Sequence, residues 1–364
     1  MAAQCRRRRH GALSLSALMA ASAVTLSLLV GLLILNARST VRGSARQLFV
    51  YCAAGMRHPL ERIIENYQRE YGGAIQVQYG GSNTLLSQIE VSRTGDLFLA
   101  GDDSYMQLAR GKGLVAEVIP LALMHPVIVI RKDARQKLTA LGQLLEPGIR
   151  VACGNPDAAA IGRVTRALLE QSGHWSRLER QIRDTGVFKP TVNEVANDVK
   201  LGAVDAGIVW DATAVQYPEL EVIRVPELAS GAAMVDIAVL ASAADPTAAL
   251  HFARYVGALN RGLKAFEAHR FRVVEGDVWE DVPQITFYAG AVNRRALEPV
   301  LAAFQHREGV QINTVYNGCG ILTGQMRVIA QNRDAGFPDT YMACDVYYLD
   351  AVSDWFQEAV NVSD

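Results

Sequence analysis

The chain has 364 residues, half of them apolar and 20% charged, and its 36 Lys and Arg against 37 Asp and Glu leave a net charge of -1. That balance excludes a disordered, collagenous or highly charged nucleic-acid-binding chain, and it supplies no global field to recruit DNA, RNA or an acidic membrane face. At roughly 100 to 200 residues per domain, the length calls for two domains or lobes.

At the N-terminus, Arg6 to Arg9 precede an uncharged run from Ala12 to Asn36 that is rich in Leu, Ala, Val and Ser. The run reaches the ~20 residues needed to span a bilayer and exceeds the ~7 to 15 of a cleaved signal core. Ala12 to Ile34 is therefore expected to stay as a membrane anchor, with the arginines cytoplasmic and everything after Arg38 outside. Residues 1–46 form this first segment.

From Gln47 onward, short β-rich runs alternate with amphipathic helices. Leu48 to Ala53 reads as a strand, and Pro59 to Tyr71 as a helix whose apolar face is Leu60, Ile63, Ile64 and Tyr67. Ala74 to Tyr79 is a second strand, Asn83 to Val91 a helix and Asp96 to Ala100 a third strand. Pro126 to Ile130 opens a second series: Arg150 to Cys153, Ile161 to Gln171, Asn193 to Leu201 and Ala206 to Trp210. The β-rich run Ala232 to Ala241 then leads into a helix from Pro246 to Tyr255. This order predicts α/β lobes with mostly parallel sheets, the chain crossing between two lobes twice over residues 47–280, and a ligand cleft between them.

Residues 281–364 read as an incomplete repeat of the first part of that module. A shift of 237 positions superposes Tyr51 on Tyr288, Arg57 on Arg294, Tyr79 on Tyr316 and Gln88 on Gln325. After a six-residue insertion, Asp96, Asp102 and Tyr105 match Asp339, Asp345 and Tyr348. The five cysteines, Cys5, Cys52, Cys153, Cys319 and Cys344, are odd in number, far apart and without CxxC or Cys/His spacing. The expectation is buried or free thiols, with neither a disulfide framework nor a metal site.

Three turns follow strands and open helices: Ala53 to Arg57, Gly80 to Thr84 and Pro156 to Gly162. Helix starts leave N–H groups unpaired and carry partial positive charge, so such turns can converge on an anion, and their glycines let the backbone come close. Ser82 adds a hydroxyl, or serves only as an N-cap; Gly55 serves the ligand loop, or only its own turn. Donors of this kind, with no lysine at the centre, suit a dehydrated dianion recognised by shape.

The segments Val50 to Met56, Tyr79 to Ile89, Asp96 to Asp102 and Ala206 to Trp210 resemble the molybdate-binding protein of bacterial ABC uptake systems, in the right order over about Gln47 to Val273. The resemblance implies a two-lobed type II periplasmic-binding-protein fold, here followed by a partial second copy. It also implies a tetrahedral oxyanion as ligand, molybdate or tungstate foremost, and an ABC permease as partner. Carried over by position, the ligand would meet Gly55, Ser82, the N–H of Ile161, the N–H near Val195 and Trp210. Gly55 stands where that family has a hydroxyl residue and Trp210 where it has a tyrosine, so two side-chain donors are altered. Sulfate, phosphate or a small organic acid therefore stay open as ligands. Arg57 is a second source of attraction, and Glu194 a weaker ligand candidate.

No reaction is expected. The residues after Ser82 lack the glycine of a nucleophile elbow, and no HExxH, Walker or dinucleotide fingerprint is present. The alternatives are a membrane-tethered anion sensor or adhesion subunit, and an enzyme resembling porphobilinogen deaminase with a cysteine-borne cofactor. The chain thus reads as an extracytoplasmic, membrane-anchored receptor that closes two lobes on an oxyanion.

Overall fold

The computed structural model describes residues 47–134, 138–331 and 336–357. The expected anchor, Ala12 to Ile34, lies outside them; no helix among the described residues is long and apolar enough to cross a membrane.

The described residues open with β1 (Leu48–Ala53), whose near-continuous burial fits a strand covered on both faces. A 3-10 turn (Ala54–Met56) leads into α1 (Arg57–Tyr71), which buries Leu60, Ile63, Ile64 and Tyr67 on one face and stops at Gly72, where φ is 74°. Then follow β2 (Ile75–Gly80), α2 (Ser82–Ser92), β3 (Leu97–Ala100), α3 (Asp103–Gly111) and β4 (Val115–Met124). After His125 the chain enters a second lobe: β5 (Pro126–Arg131), α4 (Leu141–Leu144), β6 (Val151–Gly154), α5 (Ala160–Gln171), α6 (Trp175–Thr185), β7 (Val187–Lys189) and α7 (Val192–Lys200). The lobe is completed by β8 (Ala206–Trp210), α8 (Asp211–Ala214), β9 (Leu220–Ile223) and α9 (Pro226–Ala229). The chain returns with β10 (Ala233–Leu240), α10 (Pro246–Gly257), α11 (Gly262–Ala268) and β11 (Arg272–Val273).

The first lobe's sheet has the order β11-β4-β10-β3-β1-β2 and the second lobe's β7-β6-β8-β5-β9. Strands β2, β1 and β3 are parallel, as are β7, β6 and β8, but β10 runs antiparallel to both β3 and β4, and β5 to both β8 and β9. The sheets are therefore mixed and not mostly parallel. The crossings are the reason, since β5 and β10, the strands that follow them, enter their sheets in reverse direction. At the first crossing, the His125 N–H donates to Asp211 Oδ1 (3.0 Å) and the Asp211 N–H to the His125 carbonyl (2.9 Å), which joins the hinge to the end of β8.

A third sheet, of order β13-β12-β14, comes from β12 (Gln284–Gly290), α12 (Arg294–Glu308), β13 (Gln311–Asn317), α13 (Cys319–Gln331), β14 (Thr340–Met342) and α14 (Val346–Asp350). It corresponds strand for strand to β2-β1-β3. Leu48 pairs with Ile75 and Ile285 with Ile312; Val50 pairs with Leu97 and Phe287 with Thr340. Local contacts recur as well. Asp96 accepts from the Phe49 N–H at 2.8 Å and Asp339 from that of Thr286 at 2.7 Å, while Arg57 lies 3.9 Å over the Tyr79 ring and Arg294 5.3 Å over that of Tyr316. Its core is small: Tyr288, Leu322, Met326 and Val352, flanked by Phe337, Tyr341 and Phe356. The Thr247 hydroxyl of α10 donates to the Arg307 carbonyl (2.7 Å), and the Trp279 indole donates to Tyr71 Oη (2.9 Å), tying the linking segment to α1.

The cysteine expectation needs one correction. Cys319 and Cys344 are disulfide-bonded, while Cys52 and Cys153 are buried and unpaired. A sequence separation of 25 hides the pairing from any spacing rule; the parallel strand β14 brings Cys344 back beside the start of α13.

Candidate functional site

The carboxyl ends of the parallel strands of both lobes face one another, which is where ligands gather in α/β sheets. Between them lies a cavity whose space open to a water-sized sphere is about 20 Å³. From the first lobe it is lined by Ala53 to Met56 after β1, by Gly80, Gly81 and Ser82 between β2 and α2, and by Gly101 after β3. From the second it is lined by Ala159, Ala160 and Ile161 at the start of α5, by Thr191 and Val192 at the start of α7, and by Trp210 at the end of β8.

Of the residues singled out in the sequence, Gly55, Ser82, Ile161 and Trp210 line this cavity. Val195 does not. It sits on α7 with its N–H bonded to the Thr191 carbonyl (3.4 Å) and its side chain packed against Gly207, and Thr191 and Val192 face the cavity instead. The signal for this was legible. Thr191 and Glu194 form a reciprocal cap in which the Thr191 hydroxyl donates to Glu194 Oε1 (2.8 Å) and accepts from the Glu194 N–H (3.4 Å). That Thr-x-x-Glu pattern starts the helix at Val192, one residue before the start read from periodicity. It also engages the Glu194 carboxylate outside the lining. Arg57 is likewise engaged elsewhere, over the Tyr79 ring and beside Glu61 (3.5 Å).

The donors are distinct. Ser82 is buried, and its hydroxyl accepts from the Gly101 N–H at 3.2 Å, which leaves the hydroxyl proton free for another acceptor. The N–H groups of Ser82, Ala160, Ile161 and Val192 open their helices, and none donates to an acceptor among the described residues. The Trp210 indole N–H also has no acceptor there, and the side chain is buried. None of the lining residues is charged. Burial pushes the thiols of Cys52 and Cys153 up, Cys153 to about 12, so neither is a thiolate near neutral pH.

The lobes touch across this cavity. A β carbon on residue 81 would overlap the Ala158 carbonyl oxygen and stand 2.6 Å from that of Pro190, and one on residue 55 would stand 3.2 Å from Val192 Cγ1. The Asn83 N–H donates to the Ala158 carbonyl (3.1 Å), Asn83 Nδ2 to the Asp157 carbonyl (2.7 Å), and the Arg163 guanidinium lies 5.2 Å from the Tyr105 ring centre.

The sequence model of the bacterial extracellular solute-binding protein family matches residues 48–272. The chain is 33% identical over 172 residues to a Haemophilus influenzae protein named as a binding protein, covering 47% of this chain and 69% of the relative. It is 27% identical over 218 residues to the molybdate-binding protein ModA of Mycobacterium tuberculosis, covering 59% and 80%. The structure of the periplasmic molybdate-binding protein of Azotobacter vinelandii superposes with a TM-score of 0.54 at 18% identity, over 63% of this chain and all of that one, and so shares the fold. With both lobes inside the matched segment, the chain belongs to the bacterial extracellular solute-binding proteins: it is an extracytoplasmic substrate-binding protein of the ABC-transporter kind, ModA-like in sequence, and not an enzyme.

Proposed function

We propose that the two lobes close on one tetrahedral oxyanion, molybdate or tungstate foremost, and present it to an ABC permease. The observation that carries this reading is the convergence of unpaired N–H groups at the starts of α2, α5 and α7, together with the Ser82 hydroxyl, on a cavity without a charged lining residue. A dianion stripped of water needs many donors, and helix starts supply both N–H groups and partial positive charge. An accessible space of about 20 Å³ corresponds to a pocket roughly 3 Å in radius, the size of a single tetrahedral oxyanion. The ligand's oxygens are met by the loop at Gly55, the hydroxyl and N–H of Ser82, the N–H groups of Ala160 and Ile161, the start of α7 at Val192, a turn before Val195, and the Trp210 indole. The sequence likeness to molybdate-binding relatives favours molybdate over sulfate and phosphate.

Calorimetric titration with molybdate, tungstate, sulfate and phosphate tests this. Binding of molybdate and tungstate well above the others is expected; failure of all four overturns the oxyanion reading, and preference for sulfate or phosphate overturns the choice of ligand. Co-purification with a membrane permease tests the transport role. The anchor at Ala12 to Ile34 is part of the same proposal, and a soluble mature protein beginning near Gly43 would remove it. Residues 281–364 we read as an incomplete second copy of the module, from the matched registers of β12 to β14.

A further inference from the structure

We propose that Cys319 and Cys344 form a thiol–disulfide exchange site that takes a dithiol reductant or a small thiol as co-substrate. Three observations carry it. The pair occupies the place that Ser82 and Gly101 occupy in the first lobe: the Gly101 N–H donates to Ser82 Oγ at 3.2 Å, and the Cys344 N–H to Cys319 Sγ at 3.2 Å. A hydroxyl-and-glycine pair at the mouth of a binding loop has thus become a pair of sulfurs. The two sulfurs are also unlike in setting. Cys344 is exposed on the loop between β14 and α14, whereas Cys319 is 4% exposed and is the first residue of the 13-residue helix α13. Finally, the other described cysteines, Cys52 and Cys153, are wholly buried and stand apart from this pair.

This asymmetry sets the direction of the chemistry. An incoming thiolate reaches Cys344 Sγ, forms a bond to it and breaks the Cys319–Cys344 bond. The electron pair leaves on Cys319 Sγ, where the helix start stabilises a thiolate and makes it the better leaving group. The second thiol of the dithiol then attacks its own sulfur in the mixed disulfide and releases Cys344. The reductant ends as a disulfide, and its two protons end on Cys319 and Cys344.

The test uses the full chain in its native state. Without reductant, a digest made after alkylation is expected to contain one linked peptide joining Cys319 and Cys344. After native incubation with dithiothreitol, that peptide is expected to fall by about tenfold or more, with both cysteines alkylated while Cys52 and Cys153 stay protected. In Cys319→Ser, oxidised glutathione is expected to add one glutathione to Cys344. Two alkylated thiols before any reductant would overturn the proposal, and so would a linked peptide that survives native dithiothreitol. Absence of glutathione on Cys344 in the variant would overturn the assignment of Cys344 as the attacked sulfur. None of these outcomes depends on which ligand the lobes bind.

Discussion

Ser82 has two bonding roles, and they make separate predictions. As an acceptor for the Gly101 N–H it holds the end of β3 against α2; as a donor it has a proton to spend on a ligand. Ser82→Ala is expected to weaken oxyanion binding by about 1 to 3 kcal/mol, or roughly 5- to 150-fold, since a hydrogen bond to a charged partner is lost. Calorimetry checks it, and unchanged affinity would remove Ser82 from the site. A second residue governs stability. Burial above all, then the neighbouring Asp103, raises Asp236 from 3.8 to about 6, with Arg110 opposing and Asp102 adding a little. Because the folded value exceeds the unfolded one, the contribution of Asp236 to stability is full below 3.8 and is lost as pH rises through about 6. Asp236→Asn is therefore expected to raise stability by about 1 to 3 kcal/mol near pH 8, with the gain vanishing toward pH 4. Thermal melts across that range decide it; a gain that is flat with pH would contradict the assignment.

At the level of elements, the start of α2 shows how a helix terminus becomes an interface between lobes. Gly81 has φ −74° and ψ 143°, an ordinary extended conformation, so its lack of a side chain is not needed for the backbone. It is needed for distance, because the Ala158 and Pro190 carbonyls of the second lobe close onto it. Gly81→Ala should leave each lobe's fold intact yet hold the lobes apart, weakening binding by about 1 to 3 kcal/mol, the usual cost of overpacking. Small-angle scattering of the variant at saturating ligand should show an open form; a compact form with parental affinity would refute the argument. The start of α7 carries a contrasting lesson. Its Thr191–Glu194 cap was readable in the sequence and fixes which residues reach the cavity, whereas the position carried over from the family resemblance fell a turn along, at Val195.

For the whole molecule, the proposed function makes binding depend on closure, and closure on a few contacts between lobes. Asn83 supplies two of them, to the carbonyls of Ala158 and Asp157. Only the side-chain bond is lost in Asn83→Ala, so ligand release is expected to quicken by about 3- to 10-fold with little change in association. Stopped-flow measurements separate the two rates; an effect confined to association would count against a closing contact. The third sheet bears on stoichiometry. Among the described residues it offers counterparts of β1, β2 and β3 but none of the α5 and α7 starts that face them across the cavity, and it carries Val292 and Cys319 where the first lobe has Gly55 and Ser82. One oxyanion per chain is therefore expected in titration, and a second saturable site would overturn this.

The alternation of strands and helices, the two lobes, the crossings near Pro126 and Ala232, and the turns at Gly55, Ser82 and Ile161 were legible in the residues, because they depend on local periodicity and on glycine and hydroxyl chemistry within a few positions. Tertiary structure alone decided the rest. The direction in which β5 and β10 enter their sheets turns on long-range pairing, so the sheets came out mixed. Arg57 was drawn over the ring of Tyr79 on the neighbouring strand, which no local pattern announces, although its pairing with Glu61 follows from i,i+4 helix spacing. The pairing of Cys319 with Cys344 needed β14 to return beside β12. Gly81 acquired its role only when the second lobe met it, since a close approach between segments far apart in the chain exists only once both are folded.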